Sequence, residues 1–151
     1  MNISSTAIPD VLLIEPVVHK DKRGFFIETY HIDKFINGGI NHTFVQDNHT
    51  KSVKHTLRGL HFQQKYPQGK LIRCLQGKIF DVAVDIRPES DTFGNWVGVE
   101  LTDSNKLQVF IPVGFAHGYY VLTETAEITY KCTEVYHSED GMGIRWDDPD
   151  L

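Results

Sequence analysis

The sequence predicts an all-β fold, a small sandwich or barrel with one or two short helices. Three observations predict it. Short runs rich in Val, Ile, Phe and Tyr recur along the chain, separated by Gly, Pro, Asn and Asp. One of them, Lys78–Arg87, alternates residue by residue. Only His31–Ile36 has helical character, and Asn37-Gly38-Gly39 stops it after a turn or two.

In chain order, strands are expected at Val11–Glu15, Gly24–Tyr30, Thr43–Asn48, Leu57–Gln63 and Leu71–Leu75. Five more follow at Ile79–Arg87, Trp96–Leu101, Leu107–Ile111, Tyr119–Thr123 and Ile128–Val135. Gln76-Gly77-Lys78 and Asp103-Ser104-Asn105 read as hairpin connections. On Lys78–Arg87, Phe80, Val82, Val84 and Ile86 share one face, and Ile79, Asp81, Ala83, Asp85 and Arg87 share the other. The carboxylates belong either to a solvated outer face or to a polar barrel interior. No repeat or linker divides the chain, so residues 1–151 are expected to form one domain.

With 40% apolar and 23% charged residues, the chain is globular and not disordered. The net charge of −5 argues against nucleic acid as partner, because phosphate backbones require clustered cations. No run approaches the length of a membrane span, and residues 1–14 lack the pattern of a signal peptide. Cys74 and Cys132 lie in apolar runs and read as reduced, buried thiols of a cytoplasmic protein.

Of the eight histidines, His19, His31, His42 and His137 adjoin polar turns and read as surface residues. His61 lies in an apolar run after Arg58-Gly59, where a core histidine or a functional one would both fit. His117 sits in Pro112-Val113-Gly114-Phe115-Ala116-His117-Gly118, where Pro and Gly form a tight turn that aims the ring inward. Lys70 either caps a strand in solvent or turns inward beside Ile72 and Cys74. Tyr130 lies on the apolar face of Ile128–Cys132. Where many metal-binding cupins carry His-x-His, the chain reads His61-Phe62-Gln63, so no metal or other cofactor is expected.

Read together, these segments are similar to the dTDP-4-dehydrorhamnose 3,5-epimerase family of the cupin superfamily. The matching order is Asp21–Glu28, Gln46-Asp47-Asn48, Leu57–Gln63, Gly69–Arg73, Gly77–Arg87, Thr92-Phe93-Gly94, Ile111–Gly118, Tyr130–Thr133, Tyr136 and Trp146–Pro149. The resemblance implies a jelly-roll barrel, a homodimer, no metal, and a 4-keto-6-deoxyhexose on dTDP as substrate. It also implies a place in dTDP-rhamnose-type synthesis for cell-surface polysaccharide.

The reaction has a physical demand. The ketone acidifies the hydrogens on C3 and C5, yet that carbon acid is weaker than imidazolium by roughly ten or more pK units, a gap well above ~10 kcal/mol. A cation in a low-dielectric site must therefore stabilise the enolate. The resemblance implies His61 as base, Tyr130 as acid on the opposite face, Lys70 near the keto oxygen, and Asp81 orienting Lys70 or Tyr130. It implies Arg23, Arg58 and Lys70 at the anionic part of the substrate, Glu28, Gln46, Asp47 and Asn48 near base, ribose or phosphate, His117 on the substrate, and Tyr136 stacked on thymine.

Two departures stand out. Family members normally continue some thirty residues past the Trp-Asp-Asp-Pro segment and supply from there the carboxylate behind the catalytic histidine. The chain is thus expected to be a shortened form, a natural variant, or one in which another carboxylate substitutes. Gly141 stands where the family commonly has an acidic residue. The competing expectations are an epimerase acting at C3 only or C5 only, and a cupin that binds a sugar nucleotide without turnover.

Overall fold

The computed structural model describes residues 1–151. Its strands are β1 (Asn2–Ser5), β2 (Leu12–Glu15), β3 (Val18–Asp21), β4 (Gly24–Ile27), β5 (Gln46–Val53), β6 (Leu57–Gln63) and β7 (Lys70–Gln76). They continue as β8 (Lys78–Asp85), β9 (Trp96–Thr102), β10 (Gln108–Ile111), β11 (Phe115–Val121), β12 (Thr125–Cys132) and β13 (Gly141–Gly143). A short helix, α1 (Ile32–Asn37), and a 3-10 turn at Ser138–Asp140 complete the chain. No helix is long and apolar enough to cross a membrane.

The six-stranded sheet runs β1-β2-β10-β7-β12-β5 and the five-stranded sheet runs β13-β6-β11-β8-β9. Every pairing is antiparallel. The sheets form a jelly roll whose main core draws Ile72, Val109, Ile111 and Ile128 from one sheet and Ile79, Ala83, Leu101 and Val121 from the other. The hairpin β3-β4 stands apart as its own two-stranded ribbon, with Phe25 and Phe26 55% and 68% exposed. A second cluster (Ile14, Phe35, Ile40, Leu71 and Phe110) packs α1 and the segment after it against the outside of the six-stranded sheet.

The alternation of β8 has a clear outcome. Ile79, Asp81, Ala83 and Asp85 all face the interior and are buried, so the polar-interior alternative is the right one. Asp85 is tied to Arg87, Ser90 and Thr92 and knots the loop that follows it. β5 runs five residues beyond its expected end at Asn48, because polar His49 and Lys51 face out while Thr50 and Ser52 face in. β11 begins at Phe115, not Tyr119, so His117 lies on a strand and not in a turn.

Gly118 made that stretch resemble a break, but its role is close approach. A Cβ on Gly118 would sit 2.7 Å from the Arg58 carbonyl oxygen, and one on Gly59 would sit 2.5 Å from the Gly118 Cα. Gly59 also has φ +116°, a region that side chains disfavour. β1, β3 and β13 are short edge or ribbon strands with mostly exposed residues, and none shows an apolar alternation.

Candidate active site

The register of the five-stranded sheet places the two histidines of interest together. His61 on β6 and His117 on β11 are cross-strand partners, directly beside the Gly59–Gly118 approach. In the other sheet, Lys70 on β7 stands opposite Cys132 on β12, and Tyr130 follows two residues earlier on the same face. Lys70 therefore turns inward with Ile72 and Cys74 instead of capping the strand in solvent.

His61, Lys70, His117, Tyr130, Arg58 and Thr50 line a cavity of about 330 Å³. A neighbouring cavity of about 630 Å³ shares His61, Lys70 and Tyr130 with it and extends to Gln46, Asn48, Gln68, Cys132 and Tyr136. The two form one cleft: a polar inner end with six titratable side chains, and an outer end of amides and an aromatic ring. A larger cavity of about 710 Å³ lies on the outer, apolar face of the five-stranded sheet, around Phe80, Val82, Val84 and Trp96. It shares Arg58 with the cleft but holds no other candidate residue.

The cleft tunes its own groups. Partial burial lowers the pKa of His61, and the charges of Lys70 and His117 lower it further. Burial likewise lowers the Lys70 ammonium pKa, opposed by Cys132 and Asp81. Burial raises the pKa of Tyr130, as do Cys132 and Tyr119, while Arg58 acts the other way. The cleft thus offers a neutral imidazole, a desolvated ammonium and a protonated phenol around one space. That set can remove a proton, hold a developing negative charge and return a proton.

Asp81 is 2% exposed, and its carboxylate accepts from His117 Nε2 at 3.0 and 3.1 Å. The hydrogen bond expected toward Lys70 or Tyr130 goes instead to His117, because β8 and β11 are adjacent strands and Asp81 faces the ring across them. A carboxylate only accepts, so that bond places a proton on Nε2. The His61 ring itself forms no side-chain hydrogen bond.

Four expected residues stand elsewhere. Asp47 faces out, paired to Lys131 at 2.9 Å, because strand alternation turns inward only its neighbours Gln46 and Asn48. Arg23 pairs with Asp21 at 2.6 Å on the β3-β4 hairpin, and Glu28, just past that hairpin, pairs with Lys34 at 2.6 Å. Neither lines the cleft of its own chain. His31, expected at the surface, has Nδ1 buried without a partner at the start of α1.

Arg58 lies at the inner end, its Nε donating to Ser52 Oγ at 3.1 Å. Tyr136 is 62% exposed at the outer end, beside Gly141. Residues that sequence reasoning passed over are Thr50, Tyr119, Gln68 and Cys132 on the cleft wall and Gln63 behind it. The inward parity of Asn48 and Tyr130 was the signal for Thr50 and Cys132.

Comparison with known proteins bears on the same residues. The family model described as dTDP-4-dehydrorhamnose 3,5-epimerase matches residues 5–151. The Salmonella typhimurium enzyme of that name is 55% identical over 98% of this chain and 82% of its own length. The Methanothermobacter thermautotrophicus enzyme is 52% identical over 97% of this chain and 79% of its own. The crystal structure of the Legionella pneumophila dTDP-6-deoxy-D-glucose-3,5-epimerase with dTDP-4-keto-L-rhamnose superposes with a TM-score of 0.97. It is 50% identical and covers 99% of this chain and 80% of that one. A match this long, at this identity and on this fold leaves one assignment: the chain belongs to the dTDP-4-dehydrorhamnose 3,5-epimerase family.

Proposed function

We propose that this chain epimerises a dTDP-4-keto-6-deoxyhexose at C3 and C5, in the synthesis of a dTDP-L-rhamnose-type nucleotide sugar. The observation that carries the reading is the single cleft shared by His61, Lys70 and Tyr130. Neutral His61 takes the proton alpha to the ketone. The C–H electron pair moves into the carbonyl, and the enolate oxygen forms beside the Lys70 ammonium. Tyr130, kept protonated by burial, returns a proton from the opposite face. Solvent then reprotonates the phenolate and removes the proton from His61, and the cycle repeats at the second carbon.

Arg58 faces the diphosphate, His117 a sugar hydroxyl, and Gln46, Asn48 and Tyr136 the nucleoside. Arg23 and Glu28 reach a substrate only across a homodimer, in the partner's cleft. The projecting hairpin with its exposed phenylalanines and the apolar outer sheet face support that assembly. Two free, buried cysteines suit a cytoplasmic enzyme.

The test is deuterium incorporation from solvent into dTDP-4-keto-6-deoxyglucose, read by NMR. Label is expected at both C3 and C5, and His61→Ala and Tyr130→Phe should each abolish it while dTDP binding persists. Label at one carbon would make this a mono-epimerase. No label with dTDP bound would make it a sugar-nucleotide binder.

A further inference from the structure

Gln63 ends β6 two residues after His61, on the same face, and is 6% exposed. Every polar atom of its amide is in use. Nε2 donates to the carbonyls of Tyr66 at 2.7 Å and Val135 at 3.2 Å, and Oε1 accepts from the His137 N–H at 2.8 Å. A buried carboxamide is costly unless all its bonds are made, and here each goes to a loop.

The bonds to Val135 and His137 flank Tyr136 on both sides. The Tyr136 N–H in turn donates to Gln46 Oε1 at 2.8 Å. Asp140 Oδ2 reinforces the same pair of loops by accepting from the Lys65 and Tyr66 N–H groups at 2.8 and 2.9 Å. The Tyr66 and His137 rings stack at 4.0 Å. The backbone around Tyr136 is thus fixed at three consecutive residues while its ring remains exposed on the cleft. An open aromatic ring on a tethered backbone is a platform for a flat ligand.

We infer that Gln63 is a positioning residue: its carboxamide holds the Tyr136 ring at a set distance from His61, so that one strand registers the nucleoside end of the substrate against the base. The inference rests on the epimerase reading above. It gives a purpose to the residue that stands where metal cupins carry their second histidine.

Gln63→Glu tests it. Glutamate keeps the size and the acceptor for His137 but loses both donors and sets a carboxylate against two carbonyl oxygens. Deuterium exchange is measured with dTDP-4-keto-6-deoxyglucose and with 4-keto-6-deoxyglucose 1-phosphate, and dTDP binding by calorimetry. For the nucleotide substrate, kcat/KM should fall about tenfold through KM, and dTDP should bind about tenfold more weakly, the scale of one lost base–aromatic stack. The sugar phosphate should react within about twofold of the parent rate, since its stack is absent in both proteins. Equal losses on both substrates, or unchanged dTDP binding, would overturn the assignment. If Gln63→Glu does not fold, Gln63→Asn, one methylene too short to span both loops, should give the same split. If the parent protein exchanges neither substrate, the epimerase reading fails, and dTDP calorimetry still decides whether Gln63 sets the Tyr136 platform.

Discussion

Lys70 helps to hold His61 in its neutral form. An ammonium beside an imidazole disfavours a second positive charge, and burial adds to the effect. The neutral base therefore persists below the ordinary histidine pKa of about 6.5, and the acid limb of kcat/KM should lie below that value. Lys70→Met removes the repulsion, so the His61 pKa should rise toward its ordinary value. Ring NMR titration of His61 measures it directly, even where loss of the oxyanion partner suppresses turnover. A His61 pKa that stays put or falls in Lys70→Met would show that Lys70 does not set it.

At this scale the sequence was partly legible. Residue order placed His61, Lys70, His117 and Tyr130 as candidates, and all four line the cleft. Strand parity should have excluded Asp47, since Gln46 and Asn48 already claimed the inward face. The Asp81–His117 bond could not be read, because adjacency of β8 and β11 is a matter of sheet order and not of chain order.

Elements that bury one face announced themselves, and elements that do not stayed silent. β6 has its expected bounds, and β8 showed its two faces by alternation. β1, β3 and β13 contribute edge hydrogen bonds with little apolar surface, so no pattern marked them. β11 was cut short because a glycine inside a strand reads as a break, although it marks the place where β6 comes close.

The crossing of β6 and β11 carries its own prediction. Gly59→Ala would place a methyl against the Gly118 Cα and the His117 carbonyl oxygen, with φ held in a region alanine avoids. Destabilisation of about 2–4 kcal/mol is expected, from overpacking and backbone strain together. Thermal and urea unfolding would measure it. A loss below about 1 kcal/mol would mean that the strands separate at little cost.

For the whole molecule, the unanswered placement is that of Arg23 and Glu28, which stand near a hairpin that leaves its own barrel. The single chain does not place them on a substrate, and the proposed homodimer would. In a homodimer that exchanges these residues, inactive His61→Ala and impaired Arg23→Ala proteins should complement when co-refolded. Half the dimers are then mixed, each with one intact cleft, so about a quarter of the parent activity should return. Additive, uncomplemented activities would place Arg23 on its own chain's substrate or on none.

The close approach of Gly59 and Gly118 has one more consequence. The spacing of the two imidazoles is written in main-chain atoms, at a point where neither residue has a side chain to vary. Substitutions elsewhere around the cleft can recut its walls for a different sugar or base without moving that ruler. A designer altering substrate scope can therefore keep the base in register with the residue facing the sugar hydroxyl, provided both glycines stay.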